Sequence, residues 1–399
     1  MTAPACISLS ELVADETRPD IALFLPTLYS GGAERVQINL AKYFLDRGLK
    51  VDLVVCKYFG SLKDKVPNGV RLVSLDASKV MFSLPAYLRY LRIARPPVVL
   101  SSVENANIIS CLGKMLSFHR HRLVVRLDNS LSEPGLLPLQ MHRWPVMAAI
   151  ASTFHAADEF VAVSRGLKAQ LRRVPGLGKK PIHHIYNPII GKGFDAQAGL
   201  APELPPSIGL GERFVLAVGR LHKQKGYRHL LTAFARVVKQ RPSHLVILGE
   251  GDDREELQGL ADSLGIAAHV HLLGYKPNAL AYMRQASVFV LSSHAEGFGN
   301  VIVEALACGA PVVSTDCPHG PREILADGRY GTLVPVGDVD ALADAIAANL
   351  DEPKPALSNG LKQHLQLFSI DAIGRQYLEE LDLFSSTISQ NELAKATVA

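Results

Sequence analysis

Long apolar runs are missing from this 399-residue chain. Nowhere do about 18 apolar residues follow one another, so no bilayer-spanning helix is expected. Cysteine is sparse: Cys6, Cys56, Cys111, Cys308 and Cys317 are scattered and never form a Cys-x-x-Cys pair. That spacing excludes a zinc framework and fits reduced thiols in a cytoplasm. The opening stretch, MTAPACISLSELVADETRPD, has no positive segment followed by an apolar core, so no secretory leader is expected. Aromatic residues are few, and the basic residues do not cluster with them, so nucleic acid is not an expected partner. Neither G-x-G-x-x-G nor a Walker lysine occurs, which removes the fingerprint of a dehydrogenase-type dinucleotide site.

What the chain does have is length and apolar content, 48% hydrophobic, enough for two domains with sizeable cores. Its charge is uneven. Residues 1–190 carry 24 Lys and Arg against 14 Asp and Glu, whereas residues 191–399 carry 18 against 24. The first half is therefore expected to face something anionic, a membrane surface or a phosphorylated substrate.

Short apolar runs alternate with amphipathic stretches throughout, the pattern of strands joined by crossover helices. Expected strands in the first half are 21–26, 50–56, 71–75, 97–102, 122–128, 159–164 and 181–189. In the second half they are 214–221, 244–251, 270–275, 287–293, 310–316 and 331–336. Residues 191–213 are rich in Gly and Pro and lack periodicity, so they read as a linker. The expected plan is α/β: a tail (1–19), a first doubly wound parallel-sheet domain (20–190), the linker, a second such domain (214–369), a terminal helix (370–385) and a tail (386–399).

Parallel α/β sheets bind ligands at the carboxyl ends of their strands. Three stretches follow strands there. In PTLYSGGAERV, Gly31 and Gly32 precede a helix, and their amides could approach an anion; an ordinary turn is the plainer reading. In AVGRLHKQKG, Arg220 and Lys225 flank a short loop and could converge on a diphosphate, or could simply be solvated surface charges. In SSHAEGFGNVIVEALACG, Glu296 lies in a strand-to-helix loop and Glu304 in the second turn of an apolar helix. A charge on so apolar a face needs a partner or a ligand. Carboxylates at this spacing can hold the diols of two sugar rings with a diphosphate between them, while Phe298, Gly299, Asn300 and Val301 offer amides at a positive helix end. In GEGDDREEL, Gly249 and Gly251 could let backbone near a ligand. Asp338 and Asp340 read as helix capping, not as a metal pair. HHIYNP and FHRHR lack a third ligand, so no metal is expected.

Together these stretches resemble the E-x7-E element and flanking motifs of glycosyltransferase family 4, retaining enzymes of the GT-B class. SGGAERV, FVAVSRGLKAQL, IYNPI, AVGRLHKQKG, ILGEGDDREEL and DCPHGPREIL fall in the same order, and the resemblance covers nearly all of residues 20–380. It implies two Rossmann-like domains facing a cleft, a nucleotide sugar as co-substrate, and a terminal helix that returns to the first domain. It further implies that Glu304 binds ribose hydroxyls and Glu296 the transferred sugar. Arg220 and Lys225 would neutralise the diphosphate, Gly32 would close onto it, and the backbone near Tyr275 and Lys276 would meet the base.

Many relatives carry a histidine after the strand equivalent to RLVVRLDNS. Here Arg126, Asp128 and Asn129 stand instead, and Asp128 is the expected acceptor-side group. The function implied is metal-independent, retaining transfer of a hexose or N-acetylhexosamine from a UDP-sugar to a glycan or polyprenyl-diphosphate-linked acceptor. Such an enzyme is expected in the cytoplasm, peripheral to the inner membrane face. Segments 79–97 and 136–151 mix apolar bulk with cations and could lie at an anionic interface. The alternatives are a GDP-mannose or ADP-sugar transferase acting on a soluble acceptor, and a silent nucleotide-sugar-binding protein.

Overall fold

A computed structural model of the protein describes residues 6–13, 17–29, 31–130, 150, 152–209, 212–352, 354 and 356–383. Segment 136–151, apart from Ile150, and the tail after 383 lie outside the described residues.

The strands are β1 (Cys6–Ile7), β2 (Ile21–Leu25), β3 (Val51–Val55), β4 (Arg71–Ser74), β5 (Val98–Ser102), β6 (Arg122–Leu127), β7 (Glu159–Ala162) and β8 (Ile182–His184). They form one sheet in the order β1-β4-β3-β2-β5-β6-β7-β8, every pair parallel. A second parallel sheet contains β9 (Phe214–Val218), β10 (His244–Leu248), β11 (Val270–Leu272), β12 (Val288–Leu291), β13 (Val312–Thr315) and β14 (Thr332–Val334), in the order β11-β10-β9-β12-β13-β14. Sheets covered on both faces need strands that are apolar throughout, which is why the chain shows short unbroken apolar runs. Along β9 the faces alternate: Phe214 and Leu216 join one buried cluster, Val215 and Ala217 the other, beneath helix Tyr227–Gln240.

In each sheet the winding direction reverses once, between β2 and β5 and between β9 and β12. Such a reversal parts the neighbouring loops and leaves a crevice at the carboxyl ends. Loops 26–32, 219–226 and 292–300 emerge there.

Two stretches differ from the expected plan. Within the expected N-terminal tail, Cys6–Ile7 adds an edge strand beside β4, and Ser8 and Glu11 form a capping box on the helical turn Leu9–Leu12. The short polar pattern there carries too little periodicity to announce a strand of two residues. Within the expected linker, Phe194–Ala198 is a short helix that buries Phe194 and Ala198. Helix Ile370–Glu380 lies on the first domain: Tyr377 meets the Phe44 ring with centroids 6.4 Å apart, and Gln376 donates to the His184 carbonyl. The chain passes between the halves at Ile190 and again at Ser369, and these residues form a parallel bridge.

Candidate functional site

The loops after β9 and β12 are stitched together. The Ser292 hydroxyl donates to the Lys225 carbonyl (2.7 Å), the His294 amide to the Gln224 carbonyl (2.8 Å), and the Gln224 side chain to the Ala295 carbonyl (2.9 Å). Gly226, at φ 63°, permits this approach, since a Cβ there would lie 2.1 Å from the Ser292 oxygen. The stitching sets the Lys225 ammonium 2.6 Å from Glu296 Oε1, an oxygen that also accepts from the Ser293 hydroxyl. Buried Tyr227 lies beneath, its phenol pushed well up by burial and the nearby Glu296 carboxylate. Burial and His229 lower the His294 imidazole, so that ring is neutral at pH 7. Arg220 stands exposed at the end of β9, facing Glu34 of the first domain.

Helix Asn300–Ala307 begins beyond the loop, with Gly299 in a left-handed conformation at its N-cap. Its apolar face packs inward, yet it carries Glu304, only 2% exposed. The partner comes from the first domain: Arg35 Nη2 donates to Glu304 Oε1 at 2.6 Å. The Asn300 amide group donates to the Gly32 carbonyl (3.4 Å) and its oxygen accepts from Asn187 (2.6 Å). A Cβ on Gly32 would lie 2.9 Å from Asn300 Nδ2, so a larger residue would displace the Asn300 side chain. Glu296 with Lys225, and Glu304 and Asn300 with Arg35 and Gly32, thus lie on the loops and helix starts where the carboxyl ends of the two sheets meet, with Arg220 exposed at the end of β9.

Other sequence-predicted residues are engaged elsewhere. The Gly31 amide donates to the Tyr29 carbonyl, and the Glu34 carboxylate folds over the place a Cβ would take. At Gly249 that place is filled by the Gly219 carbonyl oxygen, and at Gly251 by that of Leu221, so these glycines allow loop-to-loop contact. The Tyr275 amide donates to Glu250 and the Lys276 ammonium to Glu203, while the Tyr275 phenol lies near enough to Arg35 to act on its charge. Phe298 buries its ring against Tyr186 and Phe368, and its carbonyl packs against Gly320. Val301, in the first helical turn, is partly buried.

Asp128 is turned toward its own domain. Its carboxylate accepts from the guanidinium of Arg126, a fully buried residue, and from the Val103 amide (3.3 Å). Arg126 also donates to Tyr377 (3.1 Å), Ser102 (3.2 Å) and Asn187. The Asp128 carbonyl, by contrast, lies where a Cβ on Gly297 would stand, 1.7 Å away, so its backbone packs directly on the Glu296 loop.

Sequence reasoning overlooked Arg35, Asn187, Ser293 and Glu323. Glu323 accepts from the amides of Arg165 and Gly166 at the start of helix Arg165–Arg172 and from the Tyr186 hydroxyl, a second contact between the halves. Burial, helped by this carboxylate, pushes the Tyr186 phenol up to about 12. A signal did exist for Arg35: a cation in a helix's first turn opposes the helix dipole and needs an anion from outside. Among the described residues no three of His, Cys, Asp and Glu converge as metal ligands, and no helix is long and apolar enough to cross a membrane.

Two parallel-sheet domains opposed at their carboxyl ends, with acidic and basic side chains between them, define the GT-B architecture. Solved structures agree. Sucrose-phosphate synthase from Thermosynechococcus elongatus is similar with a TM-score of 0.74 at 22% identity, covering 92% of this chain and 98% of its own. Anabaena HepE, in complex with UDP and glucose, gives 0.72 at 22%, covering 92% and 100%.

The model for Glycosyltransferase Family 4 matches residues 30–190, and that for Glycosyl transferases group 1 matches 204–363. The lipopolysaccharide core biosynthesis glycosyltransferase LpsE of Rhizobium meliloti is 35% identical over 361 residues, 88% of this chain and 96% of that one. An N-acetylgalactosamine-N,N'-diacetylbacillosaminyl-diphospho-undecaprenol 4-alpha-N-acetylgalactosaminyltransferase of Campylobacter jejuni is 28% identical over 379 residues, 90% and 99% of the two chains. The protein belongs to glycosyltransferase family 4 and is a sugar transferase.

Proposed function

We propose that the protein transfers a hexose or N-acetylhexosamine from a UDP-sugar to a polyprenyl-diphosphate-linked sugar or a glycan, with retention of configuration, during polysaccharide or glycoconjugate assembly. The observation that carries this reading is the Lys225–Glu296 pair at 2.6 Å beside the buried Glu304 on the same loop-and-helix unit. Glu304 accepts the ribose hydroxyls, and Glu296, oriented by Lys225 and Ser293, accepts hydroxyls of the transferred sugar. As the bond from the anomeric carbon to the diphosphate breaks, charge grows on the departing phosphate oxygen. Arg220, Lys225 and the amides at the start of helix Asn300–Ala307 stabilise it as fixed charges and dipoles, without a metal. The acceptor hydroxyl attacks on the face the diphosphate leaves, and its proton passes to that phosphate oxygen. The UDP base and the lipid-linked acceptor draw support from HepE, solved with UDP and glucose, and from the name of the Campylobacter relative.

The first domain's net positive charge supports work at an anionic membrane face. Within segment 79–97, helix Leu84–Ala94 buries Tyr87, Tyr90 and Leu91 against its own domain, while Met81 and Phe82 stay exposed beside Lys79. Co-sedimentation with phosphatidylglycerol vesicles at low salt tests this surface, and absence of binding counts against it. The donor is tested by nucleotide release from UDP-, GDP- and ADP-sugars, with an undecaprenyl-diphosphate-linked N-acetylhexosamine as acceptor and with EDTA present. Turnover with a UDP-sugar and an α-linked product are expected. Turnover with GDP-mannose alone, or nucleotide binding without turnover, overturns the reading.

A further inference from the structure

We propose that Arg35 is a positioning residue for the donor: it holds Glu304 from the opposite domain and so makes the grip on the ribose depend on closure of the cleft. This inference rests on the proposed role of Glu304. The Glu304 carboxylate is 2% exposed, and a buried charge without a counter-charge is strongly unfavourable. Among the described residues, its own domain supplies none. Among the described residues the cation that pairs with it is Arg35, which reaches across from the first turn of helix Gly32–Asp46.

The geometry leaves the carboxylate usable. Arg35 engages Oε1 at 2.6 Å, and no hydrogen bond from a described residue falls on Oε2, which stays available to a vicinal diol. Arg35 is itself half-exposed, so its guanidinium borders the cleft instead of filling a core. The same helix start brings Gly32 against Asn300, so two contacts join one N-terminal turn to the donor-side residues, and the Glu34 carboxylate there is drawn electrostatically toward Arg220. When the halves part, Glu304 loses its counter-charge and its fixed rotamer together. When they close, both return.

Calorimetric titration of the full-length protein with UDP, and with GDP and ADP in parallel, tests this in wild type, Arg35→Ala, Arg35→Lys, Glu304→Ala and the double variant. For the nucleotide that wild type binds, Arg35→Ala is expected to weaken affinity about 10-fold, Arg35→Lys less, and Glu304→Ala about 30-fold or more. The double variant should be no weaker than Glu304→Ala alone, because residues acting through one contact are non-additive. A structural role alone would lower thermal stability without this non-additivity, and that result overturns the proposal. So does unchanged or tighter binding by Arg35→Ala, the latter marking Arg35 as a competitor of the ribose. If Glu304→Ala leaves binding unchanged, or wild type binds no nucleotide, the donor-site reading itself falls and this inference with it.

Discussion

The Lys225 ammonium and the Ser293 hydroxyl both donate to Glu296 Oε1, at 2.6 and 2.5 Å, so one carboxylate oxygen is fixed from two strand ends while the other is left for a ligand. A group held this way is pre-organised and has little rotamer freedom to lose on binding. Glu296→Ala is expected to lower kcat about 100-fold while changing UDP affinity only a few-fold, consistent with loss of fixed polar groups at a reacting centre. Lys225→Ala should lower both kcat and donor affinity. Steady-state kinetics beside UDP titration reads the split, and equally small effects from both variants would remove this assignment.

Gly297 offers a cleaner probe of closure. A methyl there would stand 1.7 Å from the Asp128 carbonyl oxygen, which belongs to the other domain. Gly297→Ala should therefore hold the halves apart and lower activity about 10-fold or more, the scale of a small misplacement of reacting groups. The melting temperature should change little, since neither domain core is touched. Small-angle scattering would show a larger radius of gyration with UDP present. An unchanged radius together with full activity would contradict the contact.

Much of this arrangement was legible in the chain itself. The strands after residue 20 announce themselves because a sheet covered on both faces demands short apolar runs, and Arg220, Lys225, Glu296 and Glu304 stand out because each follows such a run. What crosses between the domains was not legible. Arg35 is one letter inside GGAERV, and nothing local says that its anion is Glu304, 269 residues away. Gly249 misleads for the same reason: a glycine at φ 145° signals a close approach, but not whether backbone or ligand makes it. Asp128 stands out as an acid after a strand, but its pairing with wholly buried Arg126 was not legible.

That pair makes its own prediction. Arg126 is fully buried, and Asp128 is its acidic partner. Asp128→Ala leaves the guanidinium uncompensated and should destabilise the protein by about 3 kcal/mol. Asp128→Asn, which keeps a hydrogen-bond acceptor, should lose less. Urea denaturation measures both. A large fall in kcat at unchanged stability would instead restore Asp128 to the acceptor side of the reaction.

A pH dependence follows from the anchoring of helix Ile370–Glu380. His183 lies between Glu159 (3.1 Å) and Glu380 (2.6 Å), and the hydrogen bond to Glu159, helped by Glu380 and opposed by burial, raises its pKa above 6.5. Burial pushes Glu159 up, but the hydrogen bonds from His183 and Arg122 more than offset it and hold the carboxyl near about 2. The stabilisation from protonated His183 is complete below pH 6.5 and is lost as pH rises through its raised value. That from Glu159 is present above its ordinary 4.5 and is lost as pH falls toward 2. His183→Gln should thus lower the melting temperature by about 2 °C near pH 5.5, and by less at pH 8.5. A difference that grows with pH would reverse the sign of this coupling.

The two crossings between the halves run side by side. The Ile189 and Ile190 amides donate to the Phe368 carbonyl at 2.9 and 3.1 Å, and the Ile370 amide returns a bond to the Ile190 carbonyl at 2.8 Å. A single connecting strand would leave the domains free to swivel, whereas two crossings joined by hydrogen bonds restrain that freedom. Swivelling one domain about the other would break these bonds, so the link itself favours a single facing of the two halves.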